Sequence, residues 1–254
     1  MNKKTGLITG ATSGFGKAIA KKFASQQHNV IVTGRRKNLL DDVVAEIQQQ
    51  YKVNALGLNF DVRDKNEVNK QMKDLPKEWQ AIDILVNNAG LALGKDFFEE
   101  ADMDDWETMI DTNVKGLLYM SRATIPYMVK KGNGHIINIG SVAGKDVYDK
   151  GNVYCATKHA VDSISRSMRI ELLRHKIKVT AIHPGAAETE FSIVRFKGNE
   201  NAAKQVYEGY DPLTGEDIAD TVFYCASLPA HVCINDLTIT PTAQADAFYF
   251  YKGE

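Results

Sequence analysis

Short apolar runs alternate along the chain with longer amphipathic stretches, and each run ends at a glycine, a proline or a polar residue, as buried β-strands do. The runs predict strands at 6–9, 29–33, 55–60, 82–86, 135–140, 178–182 and 237–240. Between them, apolar residues recur every three or four positions, as at Leu40, Val43 and Ile47, which predicts helices. Strands that alternate with helices through short loops predict an α/β fold, with a doubly wound parallel sheet and a ligand site at the strand ends.

Four other segments complete the predicted organisation. A long helix is predicted over 106–122, with Asn113 in its interior, and another begins at Asn152. From 186 to 212 the chain is polar and irregular, with helix-prone pieces, and it emerges where a substrate would enter, so we expect a mobile lid there. The apolar stretch at 248–251 predicts a contact between subunits. No linker or repeat is visible, and we expect a single domain over 1–254.

The composition narrows the kind of partner. Of 254 residues, 44% are hydrophobic, which is enough for a full core, and 31 basic residues nearly balance 32 acidic ones. Because no basic block is present, nothing indicates nucleic acid or a membrane surface, and the expected partner is a small molecule. Three cysteines, no signal peptide and no bilayer-spanning apolar stretch indicate a cytoplasmic protein. The six histidines are scattered, so no metal site is expected.

A glycine-rich turn joins the first strand to the first helix. Glycines let the backbone turn tightly and approach a pyrophosphate, while the helix N-terminus presents free N–H groups to its negative charge. A dinucleotide is therefore the expected ligand, although a tight strand–helix loop without a ligand would use the same glycines. The candidate contacts in this turn are Gly10, Thr12, Ser13, Gly14, Phe15 and Gly16.

The ends of the next strands supply further candidate contacts. Arg35 and Arg36 follow the second strand, where an acidic residue would bind a ribose 2′-hydroxyl and arginines accommodate a 2′-phosphate. NADP(H) is therefore predicted in preference to NAD(H). The adenine is expected at Asp61 and Val62, after the third strand. Small residues after the fourth strand allow a close approach of the ligand, and the candidates there are Asn88, Ala89 and Gly90.

The candidate chemistry lies between the fifth strand and the following helix. Tyr154 and Lys158 are four residues apart, so in a helix they share one face, and an ammonium close to the phenol would lower the phenol's pKa toward neutrality. Such a tyrosine can act as a general acid or base. Ser141, at the end of the strand, is placed to hold a substrate oxygen. The same spacing also occurs in surface pairs, and the other motifs of the chain decide between the two interpretations.

Together, these motifs resemble the short-chain dehydrogenase/reductase family over nearly the whole chain. They are 9–16, 87–90, Asn113, Ser141, Tyr154-x-x-x-Lys158 and Pro184-Gly185-x-x-x-Thr189. The resemblance implies a Rossmann-type domain, a homotetramer, and hydride transfer at a carbonyl or alcohol carbon. It implies that Tyr154 is the general acid/base, that Ser141 polarises the substrate oxygen, and that Lys158 holds the nicotinamide ribose. Asn113 would bind a water that connects the lysine to solvent. The residues implied to contact the nicotinamide end of the cofactor are Tyr154, Lys158, Pro184, Gly185 and Thr189.

Longer runs resemble one group within this family. The runs at 84–94, 105–113, 151–154 and 190–198 are similar to the NADP-dependent 3-hydroxy acid dehydrogenases, which include serine 3-dehydrogenase and L-allo-threonine dehydrogenase. This resemblance implies that the substrates are small 3-hydroxy acids, such as serine, allo-threonine and 3-hydroxyisobutyrate, or the corresponding 3-oxo acids. The alternatives are a carbonyl reductase of broad range, a 3-oxoacyl reductase, and an NADP-binding sensor without catalytic activity.

A hydroxy acid also needs a cation for its carboxylate. We expect Arg195, in the lid, to make this contact, with Lys197 as the second choice. The chain departs from the group at Ala186 and Ala187, where relatives commonly carry larger apolar residues. Less bulk there would widen the pocket or loosen the contact with the nicotinamide.

Overall fold

The computed structural model describes residues 3–253 and contains a seven-stranded sheet in which every pair of neighbouring strands is parallel. The strands are β1 (Thr5–Ile8), β2 (Asn29–Gly34), β3 (Ala55–Asn59), β4 (Ile82–Asn87), β5 (Gly134–Ile139), β6 (Ile177–Pro184) and β7 (Asp236–Ile239). Their order, β3-β2-β1-β4-β5-β6-β7, reverses direction between β1 and β4, which is where doubly wound sheets bind ligands. Each predicted strand matches one of these to within one or two residues, so the predicted α/β fold is confirmed.

Helices cover both faces of the sheet. They are α1 (Gly14–Ser25), α2 (Lys37–Tyr51), α3 (Lys65–Lys73), α4 (Met103–Ile110), α5 (Leu117–Lys131), α6 (Asn152–Leu172), α7 (Glu190–Arg195), α8 (Glu200–Gln205) and α9 (Gly215–Ser227). Because successive side chains of a strand point to opposite faces, Ile8 packs with α1, α2 and α9, whereas Leu7 packs with α3, α5 and α6. The two layers form one domain around the sheet. Among residues 3–253, no helix is long and apolar enough to span a bilayer.

The helix predicted over 106–122 is longer in the structure, and it is irregular. It continues from α4 through a π-helical segment (Asp111–Gly116) into α5. The side chain of Asp102 caps its start, and Gly132, with a φ of 78°, ends it. The added part contains Pro126, which lacks a backbone donor and is uncommon within helices. Asn113 lies in the π-helical segment, a feature that often occurs at functional sites.

The segment 186–212, predicted to be irregular with helix-prone pieces, contains the two short helices α7 and α8. Each begins with a side-chain cap: Thr189 accepts from the backbone N–H of Phe191 and Asn199 from that of Ala202. Where the segment leaves the sheet, the carbonyl of Ala186 accepts from the N–H of Leu213 at 3.0 Å. The two ends of the segment are therefore joined to each other next to the end of β6.

The C-terminal segment also reaches the ends of the strands. The backbone N–H of Ala186 donates to Oε1 of the buried Gln244 at 2.7 Å. Beyond it, the aromatic stretch turns outward, and Phe248, Tyr249 and Tyr251 are 53%, 65% and 77% exposed in the single chain.

Candidate active site

The glycine-rich turn has the geometry that a bound dinucleotide needs. Gly10 and Gly14 have φ values of 66° and 51°, in the left-handed region that favours glycine. A Cβ on Gly16 would lie 2.3 Å from the carbonyl oxygen of Gly10, so no larger residue fits at the start of α1. Ser13 precedes α1 but makes no side-chain cap, and the first turn holds no acidic residue. The free N–H groups and the positive end of the helix dipole are thus available to a phosphate.

The end of β4 lies directly beside this turn. The hydroxyl of Thr9 accepts hydrogen bonds from the backbone N–H groups of Asn88 and Ala89, at 3.0 and 2.9 Å. The Asn88 amide donates in return to the Thr9 carbonyl at 2.9 Å. These bonds hold the predicted contacts of the glycine turn and of the β4 end at one edge of the cleft.

The two arginines after β2 differ in their partners. Arg36 reaches the glycine turn, where its Nη2 donates to the hydroxyls of Thr12 and Ser13 at 2.9 and 2.6 Å. Arg35 instead points toward the residues that follow β3, and its Nη1 is 3.6 Å from the carboxylate of Asp61. A guanidinium on each side makes this end of the cleft suitable for a doubly charged phosphate.

Ser141, Tyr154 and Lys158 converge at one part of the cleft. Tyr154 and Lys158 lie one turn apart on α6 and are 8% and 6% exposed. The ammonium of Lys158 donates to the backbone carbonyl of Ile139 at 3.0 Å and lies 5.9 Å from the centre of the Tyr154 ring. Ser141 follows β5; its hydroxyl accepts from the backbone N–H of Ala143 at 3.1 Å and lies close enough to the phenol of Tyr154 to influence the pKa of that phenol.

The expected depression of the tyrosine pKa by the lysine is not what this geometry produces. Burial raises the pKa of Tyr154, and the counteracting influences are the nearby hydroxyl of Ser141 and the charge of Arg195. Burial also lowers the pKa of Lys158 to about 8, because the charged ammonium is removed from water. The prediction considered only the charge of the lysine; in the folded protein, burial is the largest influence on the pKa of both groups.

Asn113 has a structural role that the sequence did not indicate. Its side-chain oxygen accepts from the backbone N–H of Leu91, and its amide donates to the Leu91 carbonyl, each at 2.8 Å. The amide also donates to the hydroxyl of Thr157, on α6, at 3.0 Å. The asparagine therefore joins the π-helical segment, the loop after β4 and the helix that carries Tyr154.

Arg195 lies inside the cavity. Its Nη1 donates to the phenol oxygen of Tyr148 at 3.0 Å, and its Nε donates to the Gly94 carbonyl at 3.4 Å. The guanidinium carbon is 5.6 Å from the ring centres of both Tyr148 and Tyr154, close enough for cation–π attraction. Lys197, the second choice, does not line the cavity, and its ammonium pairs with the Asp105 carboxylate at 2.9 Å.

Three cavity residues were missed by sequence reasoning. Tyr148 orients Arg195, Glu190 pairs with Arg36 at 2.9 Å, and Gln244 holds the backbone at Ala186. None of them belongs to a local motif, since their partners lie between 47 and 154 positions away in the chain. The only signal in the sequence was that their side chains can donate or accept hydrogen bonds, which does not distinguish them from other polar residues.

Folding also brings together a charged cluster behind Ser141, in which one of the six histidines meets two aspartates. Ligand atoms of Asp162, His183 and Asp236 lie within 4.8 Å of one another, a grouping that could hold a metal ion. The ammonium of Lys145 contacts both carboxylates, at 3.0 and 2.8 Å, and so balances part of their charge. His183 is fully buried, with Nδ1 3.2 Å from the Ser141 carbonyl oxygen and Nε2 3.1 Å from Asp236.

All of the cofactor contacts predicted from the sequence except Gly16 line one cavity of about 810 Å³, together with Ser141, Tyr154, Lys158 and Arg195. Gly16 lies beneath the turn and allows it to form. Gly14 faces Thr189 across the cleft, since a Cβ on the glycine would be 3.5 Å from that of the threonine. The cavity, the glycine turn and the paired arginines fit a phosphorylated dinucleotide with a small substrate beside it.

A doubly wound sheet with a glycine turn at its switch point, and a serine, tyrosine and lysine beside the cleft, define a dinucleotide-dependent oxidoreductase. The chain belongs to the short-chain dehydrogenase family, whose family profile matches residues 4–200. The resemblance predicted from the motifs is thus confirmed.

Individual relatives share most of their length with this chain. The NADP-dependent 3-hydroxy acid dehydrogenase of Escherichia coli (strain K12) is 48% identical over 242 residues, which are 95% of this chain and 96% of that protein. Sulfoacetaldehyde reductase 2 of Chromohalobacter salexigens is 43% identical over 94% of each chain. The closed form of a serine dehydrogenase complexed with NADP+ superposes with a TM-score of 0.91 at 47% identity, covering 96% of this chain and 97% of the other.

Proposed function

We propose that this chain is an NADP(H)-dependent dehydrogenase that oxidises the 3-hydroxyl of small 3-hydroxy acids, or reduces the corresponding 3-oxo acids. The observation that carries the proposal is a single cavity in which the guanidinium of Arg195 lies 5.6 Å from the ring of Tyr154. A 3-hydroxy acid has its reacting hydroxyl a short distance from its carboxylate. One end would meet the Ser141–Tyr154 pair, and the other would meet the arginine.

The predicted cofactor, NADP(H), is confirmed by the relatives, which include an NADP-dependent enzyme at 48% identity and an NADP+ complex of the same fold. The glycine turn would hold the pyrophosphate, and Arg35 and Arg36 would hold the 2′-phosphate. Asp61 and Val62 would contact the adenine. Thr189, which faces Gly14 across the cleft, would lie against the nicotinamide half with Pro184 and Gly185. When bound, this cofactor takes up or supplies the hydride.

Tyr154 would accept the hydroxyl proton during oxidation and return it during reduction. Ser141 would hydrogen-bond to the same substrate oxygen and keep it beside the phenol. Because burial raises the pKa of Tyr154, the neutral phenol is the resting form, which suits a proton donor in carbonyl reduction. Lys158, with a pKa lowered to about 8, would bind the nicotinamide ribose and pass protons toward solvent. Asn113 would hold a water on that route.

Arg195 would bind the substrate carboxylate. Tyr148 and the Gly94 carbonyl engage Nη1 and Nε, and these contacts fix the plane of the guanidinium. The carboxylate would then approach the remaining guanidinium N–H groups without first ordering the side chain.

We also propose that 186–212 is a mobile lid, that the protein is a cytoplasmic homotetramer, and that it binds neither nucleic acid nor membranes. Arg195 and Thr189 both belong to that segment, so its closure would complete the site. The exposed aromatics of the tail favour burial against another subunit. The free thiols of Cys155, Cys225 and Cys233 are consistent with a reducing compartment.

The test is NADPH formation from L-serine, L-allo-threonine and 3-hydroxyisobutyrate, followed by absorbance, with NAD+ as the competing cofactor and Tyr154→Phe as the control. We expect activity that needs NADP+ and that falls at least about 1,000-fold in the variant. Reduction of simple ketones alone would indicate a carbonyl reductase of broad range, and reduction of 3-oxoacyl thioesters alone would indicate a 3-oxoacyl reductase. Tight NADPH binding with no turnover would indicate a sensor.

A further inference from the structure

Arg36, the predicted contact for the 2′-phosphate, is bonded to an anion of the protein itself. Its Nη1 donates to Oε2 of Glu190 at 2.9 Å, while Nη2 donates to Ser13 at 2.6 Å and to Thr12 at 2.9 Å. Glu190 is the first residue of α7, in the lid segment, and is separated from Arg36 by 154 positions. The ion pair therefore crosses the cleft from the end of β2 to the lid, and both residues line the cavity.

The surroundings of Glu190 resemble a phosphate site. Burial alone would raise the pKa of its carboxyl, but hydrogen bonds from Arg36 and Ser13 and the charge of Lys17 lower it on balance. The carboxylate is therefore ionised at neutral pH. Arg36, Ser13 and Thr12 are also the donors expected to surround a 2′-phosphate at the end of β2.

A 2′-phosphate and Glu190 need the same donor. Four of the five guanidinium N–H groups of Arg36 are used in its contacts with Glu190, Ser13 and Thr12, which leaves one N–H on Nη1. A phosphate can engage Arg36 through two N–H groups at once only if at least one of these bonds breaks, and the carboxylate would in addition repel it. NAD(H), which has no 2′-phosphate, does not need Arg36 and leaves the ion pair intact.

We propose that Glu190 competes with the 2′-phosphate for Arg36 and thereby sets the margin by which NADP(H) is preferred to NAD(H). The inference rests on the proposed cofactor. In the cofactor-free protein the carboxylate of Glu190 occupies the donor, and NADP(H) must displace it. When the phosphate binds, Glu190, the first residue of α7 and the neighbour of Thr189, therefore loses its bond to Arg36.

The test is Glu190→Gln, which keeps the shape of the side chain and removes its charge. Dissociation constants for NADPH and NADH are measured by cofactor fluorescence at fixed ionic strength, without substrate. Because both partners are about half exposed, with side-chain exposures of 47% and 49%, we expect NADPH to bind about two- to fivefold more tightly and NADH to be unchanged. Glu200→Gln is the matched control: it is the first residue of α8, and no ion pair of Glu200 is present in the described residues.

A double-mutant cycle separates competition from a general effect of charge. In an Arg36→Met background, Glu190→Gln should tighten NADPH binding much less than in the wild type, because the shared donor is gone and only the direct repulsion remains. Equal tightening of NADPH and NADH, an unchanged NADPH constant, or weaker NADPH binding would each overturn the inference; the last would mean that the pair stabilises the closed cleft over the cofactor. A wild-type protein with no preference for NADPH would overturn the proposed cofactor itself, which distinguishes the two failures.

Discussion

The guanidinium of Arg195 lies equally close to Tyr148 and Tyr154, 5.6 Å from the centre of each ring. Tyr148 orients it through a hydrogen bond of 3.0 Å, and Tyr154 is the proposed proton carrier. One side chain of the proposed lid therefore lies beside the proposed proton carrier. The relationship leads to two predictions about substrate binding.

Arg195→Met should raise the KM for 3-hydroxy acids about 10- to 100-fold, the effect of losing a charge-assisted hydrogen bond, with a much smaller rise for an uncharged secondary alcohol. Steady-state kinetics on both substrates measure the difference. Lys197→Met is the matched control, because that cation pairs with Asp105 outside the cavity and should change neither KM. Equal losses on acid and alcohol would contradict the carboxylate contact.

Tyr148→Phe should raise the KM for the same acids about two- to tenfold and leave kcat within about twofold, since the phenyl ring remains and only the bond to Nη1 is lost. Tyr224→Phe, at an exposed position of α9, controls for the loss of a hydroxyl elsewhere. A fall in kcat at unchanged KM would instead assign Tyr148 a part in the proton transfer.

The lowered pKa of Lys158 predicts how stability depends on pH. The folded pKa is about 8 and the unfolded value is 10.5, so between these values the unfolded chain binds more protons than the folded one. Because of this lysine, the free energy of unfolding should increase as the pH rises from 8 to 10.5, by up to about 3 kcal/mol. Below pH 8 the buried ammonium is a constant cost.

Urea unfolding of the cofactor-free protein at several pH values tests this. The gain should be present in the wild type and in Tyr154→Phe, which keeps the lysine, and absent in Lys158→Met. A wild-type protein whose pH dependence matches that of Lys158→Met would show that the lysine titrates as it does in water.

Asn113→Ala should destabilise the protein by about 2–4 kcal/mol, because the N–H and the carbonyl of Leu91 both lose their partner in a buried place. Chemical denaturation measures it. Asn66→Ala, at an exposed position of α3, should cost less than about 0.5 kcal/mol. A similarly small cost for Asn113→Ala would mean that water replaces the amide and that the joint between the π-helical segment and the β4 loop is not structural.

Local features of the fold could be predicted because they depend on neighbours in the chain. Apolar runs and helical periodicity located the strands and most helices. The tight turn after β1 could be predicted because glycine tolerates backbone conformations that other residues avoid. The i, i+4 spacing placed Tyr154 and Lys158 on one helix face before any tertiary contact was known. Pro126 shows the limit of such rules, since α5 continues through this exposed proline.

The sequence by itself determined the α/β class, the family, the glycine turn and the arginines after β2, because each depends on residue type and short spacing. Only the tertiary structure decided which distant groups meet: Asn113 with Leu91, Arg36 with Glu190, and His183 with Asp162 and Asp236. It also reversed the expected pKa of Tyr154, because desolvation depends on how many atoms surround the phenol from other elements. Burial and long-range contact arise from packing between segments, which no local pattern encodes.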